Sequence, residues 1–178
     1  MAEFDQELLA ASQLLVTRRK GQRGKLASAR VRRSISTTYY ALFHFLLEEV
    51  GMRAVGAAND LRVRRRMLVR TVTHRGARAA LTRIVGPKIE GAFQEYFGTD
   101  TAPLFAVNLA RAFADAQSKR LDADYDLNKY LSEEDARVLR LRVRRVVQAW
   151  RGAKQDKDFK HALCLLILLN GKLRTEEA

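Results

Sequence analysis

The sequence predicts an all-helical protein, and three observations support that prediction. Apolar residues recur with the helical period along most of the 178 residues, whereas the alternation of apolar and polar residues that marks a β-strand is missing. Only two prolines occur, and no stretch is rich in glycine, proline or serine. Because neither a linker nor an internal repeat is visible, we expect a single helical domain over residues 1–178.

The first two predicted helices are separated by glycines. Gly21 and Gly24 divide a helix over about residues 5–20 from a longer one over about residues 25–50. The longer helix carries apolar residues at helical spacing, namely Ile35, Tyr39, Leu42 and Leu46, flanked by Tyr40, Phe43, Leu47 and Val50. Burial of this broad face should dock the helix into a bundle.

Shorter helices are predicted in the middle of the chain. Asn59 is a candidate cap for a helix that ends near Arg70, and another helix is expected over about residues 75–85. Pro87 suits the first turn of a third short helix, which ends near Gly98.

Two longer helices and a terminal one complete the prediction. Pro103 opens a helix, and Ser132 with Asp135 three residues later resembles a capping box at the start of the next. The residues expected to face inward on these two helices are Phe105, Leu109, Ala112, Ala116, Ala136, Leu139, Val143, Val146, Val147 and Trp150. A final helix over about residues 158–169 is apolar on every side in its second half, so it must be buried in the core or against a partner.

The charge balance points to a polyanionic partner. Lys+Arg total 33 against 20 Asp+Glu, which gives a formal net charge of +13. Arginine dominates this excess, and its planar guanidinium suits phosphate contact, so RNA is the expected partner. The arginines expected to bind nucleic acid are Arg62, Arg64, Arg65, Arg66 and Arg70, and a stripe of Arg137, Arg140 and Arg144 that continues to Arg151. The alternative is that these are ordinary solvated helix faces.

Other composition signals concern compartment and cofactors. The chain has one cysteine, Cys164, and starts without the pattern of a secretory signal. Its most apolar run, residues 162–169, is much shorter than the roughly 20 residues of a membrane span. We therefore expect a cytoplasmic protein without membrane association. No nucleotide-binding loop or zinc motif is present, and the aspartates of residues 122–126 suggest charge pairing rather than a metal site.

A polar line on the long helix is a candidate catalytic face. Arg33, Thr37 and His44 lie close together around the helix axis, with Tyr40 at the edge of the same face. Such groups in one groove would suit the binding and cleavage of a phosphodiester, since histidine transfers protons near neutral pH. The alternative is a hydrogen-bonded histidine at the edge of the core.

Three segments resemble a known family in the same order. Residues 34–44 (SISTTYYALFH) resemble the S-R-A-Y-Y-A-x-F-H helix of HEPN domains (higher eukaryotes and prokaryotes nucleotide-binding). Residues 74–77 (HRGA) resemble the family's H-x-G-V segment, and residues 120–126 (RLDADYD) its R-x-x-A-D-Y-D turn. The resemblance spans about residues 11–150, and the helix over about residues 158–170 lies outside it.

The resemblance implies a bundle of four to five main helices with short extra helices, here extended by the apolar C-terminal helix. HEPN domains are commonly homodimers in which two polar faces form one cleft. Many are metal-independent endoribonucleases of toxin–antitoxin or antiviral defence systems, and others are non-catalytic modules that bind a protein or nucleic acid. The expected partners are RNA and a nucleotidyltransferase antitoxin or other defence protein, with no cofactor.

The resemblance also assigns roles to individual residues. Active HEPN proteins usually carry Arg-x(4–6)-His, and no histidine of this chain has an arginine at that spacing. The nearest form, Arg120-x(4)-Tyr125, is similar to the Arg…Tyr motif of toxins whose tyrosine is adenylylated by a nucleotidyltransferase antitoxin. Arg120 would hold phosphate, His44 would transfer protons, and Tyr125 would position the sugar or accept a modification. Arg33 completes the predicted catalytic set.

Overall fold

The computed structural model describes residues 4–17 and 24–173, and it confirms that the chain is all-helical. The helices are α1 (Phe4–Val16), α2 (Lys25–Val55), α3 (Arg62–Val69), α4 (His74–Thr82), α5 (Gly91–Phe97), α6 (Leu104–Tyr125), α7 (Glu133–Gly152) and α8 (Lys157–Leu168). A short 3-10 helix, Asn59–Leu61, precedes α3. Within the described ranges there is no β-strand, and no helix is both long enough and apolar enough to cross a membrane.

The contacts between residues group the chain into two compact units. The first unit comprises Met1–Phe45 and Ala112–Gln148, and the second comprises Leu46–Arg111 and Ala149–Ala178. The boundaries between the units fall inside α2, α6 and α7. Each of these three helices therefore contributes residues to both units.

The core of the first unit contains the predicted apolar face of α2. Ile35, Tyr39 and Leu42 are fully buried, and the Tyr39 ring lies 5.7 Å from that of Phe113 on α6. The predicted inward residues of α6 and α7 in this unit are buried as well, namely Ala112, Ala116, Ala136, Leu139, Val143, Val146 and Val147. The helical period of the sequence thus identified the buried faces correctly.

A cluster of buried hydroxyl groups joins α1 to α2. Ser12 Oγ shares hydrogen bonds with Ser34 Oγ (2.8 Å) and Thr38 Oγ1 (2.7 Å), and it donates to the Ser34 carbonyl. All three side chains are excluded from solvent. Because each hydroxyl has partners inside the protein, the cost of removing it from water is offset.

In the second unit, the end of α8 is tied to the start of α4. Asn170 adopts a left-handed φ of 55°, and the Gly171 N–H donates to the Leu166 carbonyl, which forms a Schellman motif. The Asn170 Oδ1 atom then accepts hydrogen bonds from the backbone N–H and the hydroxyl of Thr73, the N-cap of α4. A methyl group at Gly76 would collide with this Asn170 side chain, so glycine is required there.

A buried lysine caps α7 in the same unit. Lys160 Nζ donates to the carbonyls of Trp150 (2.6 Å) and Ala153, and it lies over the rings of Trp150 and Phe105. The prediction that the apolar terminal helix must be buried is confirmed for Leu163, Cys164, Leu166 and Ile167. α8 packs on α4 and α5.

Two local predictions were wrong. Asn59 opens the 3-10 helix, and neither that helix nor α3 has a side-chain cap. Pro87 precedes α5 rather than forming its first turn, since the Ile89 N–H donates to the Asp100 carbonyl (2.8 Å) and α5 starts only at Gly91. A backbone hydrogen bond distant in sequence holds residues 87–89 outside the helix.

The predicted starts of the long helices are confirmed. The Pro103 carbonyl accepts the first hydrogen bonds of α6, from the N–H groups of Ala106 and Val107. At α7, the Asp135 N–H donates to Ser132 Oγ (3.0 Å) and the Ser132 N–H donates to Asp135 Oδ2 (2.9 Å). This reciprocal pair satisfies two backbone donors that the helix itself leaves without partners.

The capping box yields a stability prediction. Ser132→Ala should lower the free energy of unfolding by about 1 kcal/mol, because the Asp135 N–H loses its acceptor. The control is Ser118→Ala, which removes an exposed serine from the middle of α6 and should leave stability unchanged or slightly higher. Urea unfolding followed by circular dichroism measures both, and equal effects of the two substitutions would contradict the prediction.

Candidate functional site

An open groove of about 500 Å³ lies in the first unit, between the N-terminal half of α2 and the end of α6. Its lining residues are Ala29, Arg32, Arg33, Tyr40, Ala123, Asp124 and Tyr125. Two of the predicted catalytic residues, Arg33 and Tyr125, therefore share one groove. A third, Arg120, donates from Nη2 to the hydroxyl of the lining residue Tyr40 (3.2 Å).

The end of α6 is held by Arg32. Its Nη1 donates to the carbonyls of Asp122, Ala123 and Asp126, and its Nη2 to those of Leu127 and Lys129, at 2.6–3.2 Å. The last carbonyls of a helix lack partners within the helix and attract a cation. Arg32 supplies both donors and charge, so it fixes the backbone that carries Asp124 and Tyr125.

Arg120 is held among three tyrosine rings. Its Nε lies 2.7 Å from Asp124 Oδ2 as an ion pair. Its guanidinium carbon lies 5.9, 5.6 and 5.8 Å from the ring centres of Tyr39, Tyr40 and Tyr125. Burial acts to lower the pKa of Arg120, but Tyr40, Asp124 and Tyr125 outweigh that effect and raise it. The side chain is therefore charged and oriented before any ligand arrives.

Arg120 and Arg33 differ in their partners. Asp124 neutralises Arg120 and also accepts a hydrogen bond from Ser36 on α2. Arg33 is exposed, and it forms no ion pair or hydrogen bond with any residue in the described ranges. Arg33 is therefore a cation of the groove without a partner among the described residues, and Tyr125, which also lines the groove, is 71% exposed. An anion that carries a planar group would find a cation in Arg33 and a ring for stacking in Tyr125.

His44 lies outside this set of lining residues. Its ring packs edge-on against Phe4, with the ring centres 5.0 Å apart, and also contacts the ring of Phe43. Burial lowers the pKa of His44 below its ordinary value of 6.5, so the imidazole is neutral at pH 7. His44 follows Tyr40 by one helical turn.

The arginines of α3 are predominantly unpaired. Arg62, Arg64, Arg66 and Arg70 are exposed, and no ion pair or hydrogen bond joins them to a described residue. Arg65 differs, because its Nη1 donates to the carbonyls of Gly56 (2.6 Å) and Ala58 (2.8 Å). Of the five arginines predicted here to bind nucleic acid, Arg65 thus has a structural role.

The arginine stripe of α7 is partly compensated. Arg137 donates two hydrogen bonds to the Glu134 carboxylate, from Nε and Nη2. Arg144 is exposed and has no such partner in the part of the chain described. Arg140 Nη1 is buried without an acceptor among the described residues, and burial together with Arg137 lowers the pKa of Arg140. The stripe is therefore less available to a polyanion than its sequence suggests.

The aspartates near the end of α6 pair with cations. Asp122 accepts from Lys129 Nζ (2.6 Å), and Asp124 pairs with Arg120, as the interpretation of charge pairing predicted. Over residues 4–17 and 24–173, no group of three or more histidine, cysteine or acidic side chains is arranged to hold a metal ion.

Sequence reasoning missed Arg32 and Ser36 at this site. Arg32 directly precedes Arg33, which was selected, but the partners of Arg32 are backbone carbonyls about ninety residues away, which no local pattern reveals.

No family model, curated protein or solved structure matches this chain.

The lowered pKa of His44 predicts a pH dependence of stability. Because burial disfavours the imidazolium, the unfolded chain binds the proton more tightly than the folded chain does. The free energy of unfolding should therefore decrease as the pH falls below about 6.5, and His44→Gln should remove that part of the decrease.

Urea unfolding at about pH 7.5 and about pH 5.5 measures this effect, within the range where histidine titrates. His161→Gln is the matched control, since His161 is exposed on α8, and it should behave as the wild type. An identical pH dependence of the wild type and His44→Gln would show that His44 is not desolvated.

Proposed function

We propose that the protein is a HEPN-like helical bundle that binds RNA in the α2–α6 groove and cleaves it there without a metal ion. The observation that carries the proposal is that the groove is lined by the exposed and unpaired Arg33, while the oriented guanidinium of Arg120 contacts the lining residue Tyr40. The resemblance of residues 34–44, 74–77 and 120–126 to HEPN segments supports the same function.

Binding would combine charge with stacking. Arg33 can neutralise a phosphate of the RNA backbone, which releases counterions and makes the affinity depend on salt. The exposed ring of Tyr125 offers a face on which an unpaired base can stack. Because Arg32 fixes the backbone at Tyr125, little ordering is required when RNA binds.

Cleavage would use the fixed charge of Arg120. Attack of a 2′-hydroxyl on the neighbouring phosphorus forms a phosphorane with extra negative charge, and the bond to the 5′-oxygen then breaks. A preoriented guanidinium stabilises that charge without reorganisation during the step. The hydroxyl of Tyr125 or Tyr40 would donate a proton to the leaving oxygen, and neutral His44 would accept the proton of the 2′-hydroxyl.

A second candidate function is favoured by the position of His44. Its ring packs against Phe4 and does not line the groove, so a substrate would have to extend along α2 beyond Tyr40 to reach it. Without that contact the groove binds RNA or a protein but lacks a general base. The protein would then be a non-catalytic HEPN-like module.

The biological setting belongs to the same proposal. The resemblance supports a cytoplasmic homodimer that acts in a toxin–antitoxin or antiviral defence system, with a nucleotidyltransferase antitoxin or another defence protein as its partner. Tyr125 is 71% exposed, which would leave its hydroxyl accessible to such a modifying partner.

Substitution of the groove arginines tests RNA binding. Arg33→Gln should weaken the affinity for a labelled single-stranded RNA by about 3–10-fold and lower the slope of log affinity against log salt by about one. Arg75→Gln is the control, because Arg75 is exposed on α4 in the second unit, and it should change the affinity less. Fluorescence anisotropy over a salt series measures both variants.

Cleavage is assayed with the same RNA and with tRNA in the presence of EDTA. Cutting that is lost in both Arg120→Gln and His44→Gln identifies the enzyme. Binding without cutting, in preparations that retain the wild-type fold, identifies the module. If Arg33→Gln and Arg75→Gln bind RNA as the wild type does, the groove is not the RNA site.

A further inference from the structure

The outer face of α3 is a second charged surface, and it lies in the second unit. Residues 59–70 contain five arginines and one acidic residue, Asp60. Asp60 is exposed, none of the five arginines has an ion pair with any residue that the structure describes, and four of them have no hydrogen bond there either. Such a concentration of unpaired guanidinium groups repels itself unless an anionic partner compensates it.

The inner face of α3 is fixed to α2. A Cβ atom at Gly51 would stand 3.3 Å from Arg65 Cβ and Val69 Cγ1, so α3 packs closely on α2 and a larger residue at Gly51 would have to displace these side chains by a few tenths of an ångström. Arg65 also donates to the carbonyls of Gly56 and Ala58, which closes the loop before α3. The outer side chains of α3 therefore project from a backbone that is held in place.

The outer face also carries two apolar side chains. Val63 is 61% and Met67 is 66% exposed, and their spacing places them on adjacent turns. At about 100° per residue, Arg62, Arg66 and Arg70 lie along one side of this pair and Arg64 along the other. The surface is thus a short apolar strip with three arginines along one side and one arginine on the other.

We propose that the outer face of α3 docks an acidic segment of a protein, with apolar side chains on the strip and carboxylates on the arginines. Guanidinium groups bind carboxylates through two parallel hydrogen bonds, which matches a partner whose acidic residues flank its apolar ones. Methionine and arginine are also enriched at protein interfaces, where the flexible thioether adapts to its partner.

The same strip disfavours RNA as the occupant. A phosphate backbone contacts arginine alone and gains nothing from burial of Val63 and Met67. α3 also has no aromatic side chain on which a base could stack. The proposal is independent of the groove, because every residue that it uses lies in the second unit.

The test uses a labelled synthetic peptide as the probe. Its sequence places two leucines one helical turn apart with glutamates on both sides, and a second peptide replaces both leucines by serine at the same charge. The leucine peptide should bind the full-length protein at least about tenfold more tightly than the serine peptide. The double variant Val63→Ser/Met67→Ser should abolish that difference, and Arg66→Gln/Arg70→Gln should weaken the binding of both peptides.

Matched controls separate the surface from general effects. Leu104→Ser removes another exposed apolar side chain of the second unit, which is 71% exposed, and should leave the preference for leucine intact. Val63→Ser/Met67→Ser should leave the affinity for single-stranded RNA and any RNA cleavage unchanged. Urea unfolding confirms that each variant is folded.

Three outcomes would overturn the proposal. Equal binding of the two peptides would show that α3 responds to charge alone. A loss of RNA affinity in Val63→Ser/Met67→Ser would assign the strip to RNA. A wild-type dimer that this variant converts to a monomer in sedimentation experiments would show that a second copy of the chain covers the strip.

Discussion

The site depends on the contact between Arg32 and the backbone at the end of α6. Five backbone carbonyls from Asp122 to Lys129 converge on this one guanidinium. The capped turn holds Asp124 where it accepts from Ser36 and pairs with Arg120. Arg32, whose guanidinium is occupied by backbone carbonyls, therefore fixes the turn that carries Asp124 and, through Asp124, the position of Arg120.

The amount of positive charge that is available to a partner depends on the contacts that each arginine already makes. Arg32 and Arg65 bind carbonyl groups and stabilise local structure, and Arg137 is neutralised by Glu134. Arg33 and four arginines of the α3 segment lack such partners among the described residues. Two of the surfaces that carry such arginines differ in their neighbours, because one is lined with tyrosine and the other carries an apolar strip. That difference in neighbours is the physical basis for assigning them different partners.

The sequence predicted those features whose cause is local. The capping box of Ser132 and Asp135 depends on residues three apart, and the buried face of α2 depends on helical spacing alone. Pro87 was placed wrongly because the backbone hydrogen bond between Ile89 and Asp100 is not local. The tie between Asn170 and the start of α4 crosses almost a hundred residues and has no sequence pattern of its own.

The candidate site was predictable only in part, because some of its contacts are local in sequence and others are not. Arg120 and Tyr125 were selected from a motif and Arg33 from its helical face. In the structure Arg33 and Tyr125 line one groove, and Arg120 contacts its lining residue Tyr40. His44 was selected from its helical face, yet the packing of Phe4 against its ring depends on α1. Helical periodicity gives the direction of a side chain but not the neighbour that covers it.

The central claim is that Arg120 and Arg33 form one anion site, and arginine side-chain NMR tests it most directly. The protein is labelled with ¹⁵N-arginine, and single-stranded RNA with 2′-O-methyl groups, which cannot be cleaved through the 2′-oxygen, is added. Spectra of Arg33→Lys and Arg120→Lys assign the two Nε–H resonances. Both resonances should shift together and reach saturation at one RNA concentration, while that of Arg75 stays in place. Unchanged Arg33 and Arg120 resonances at saturating RNA would contradict it.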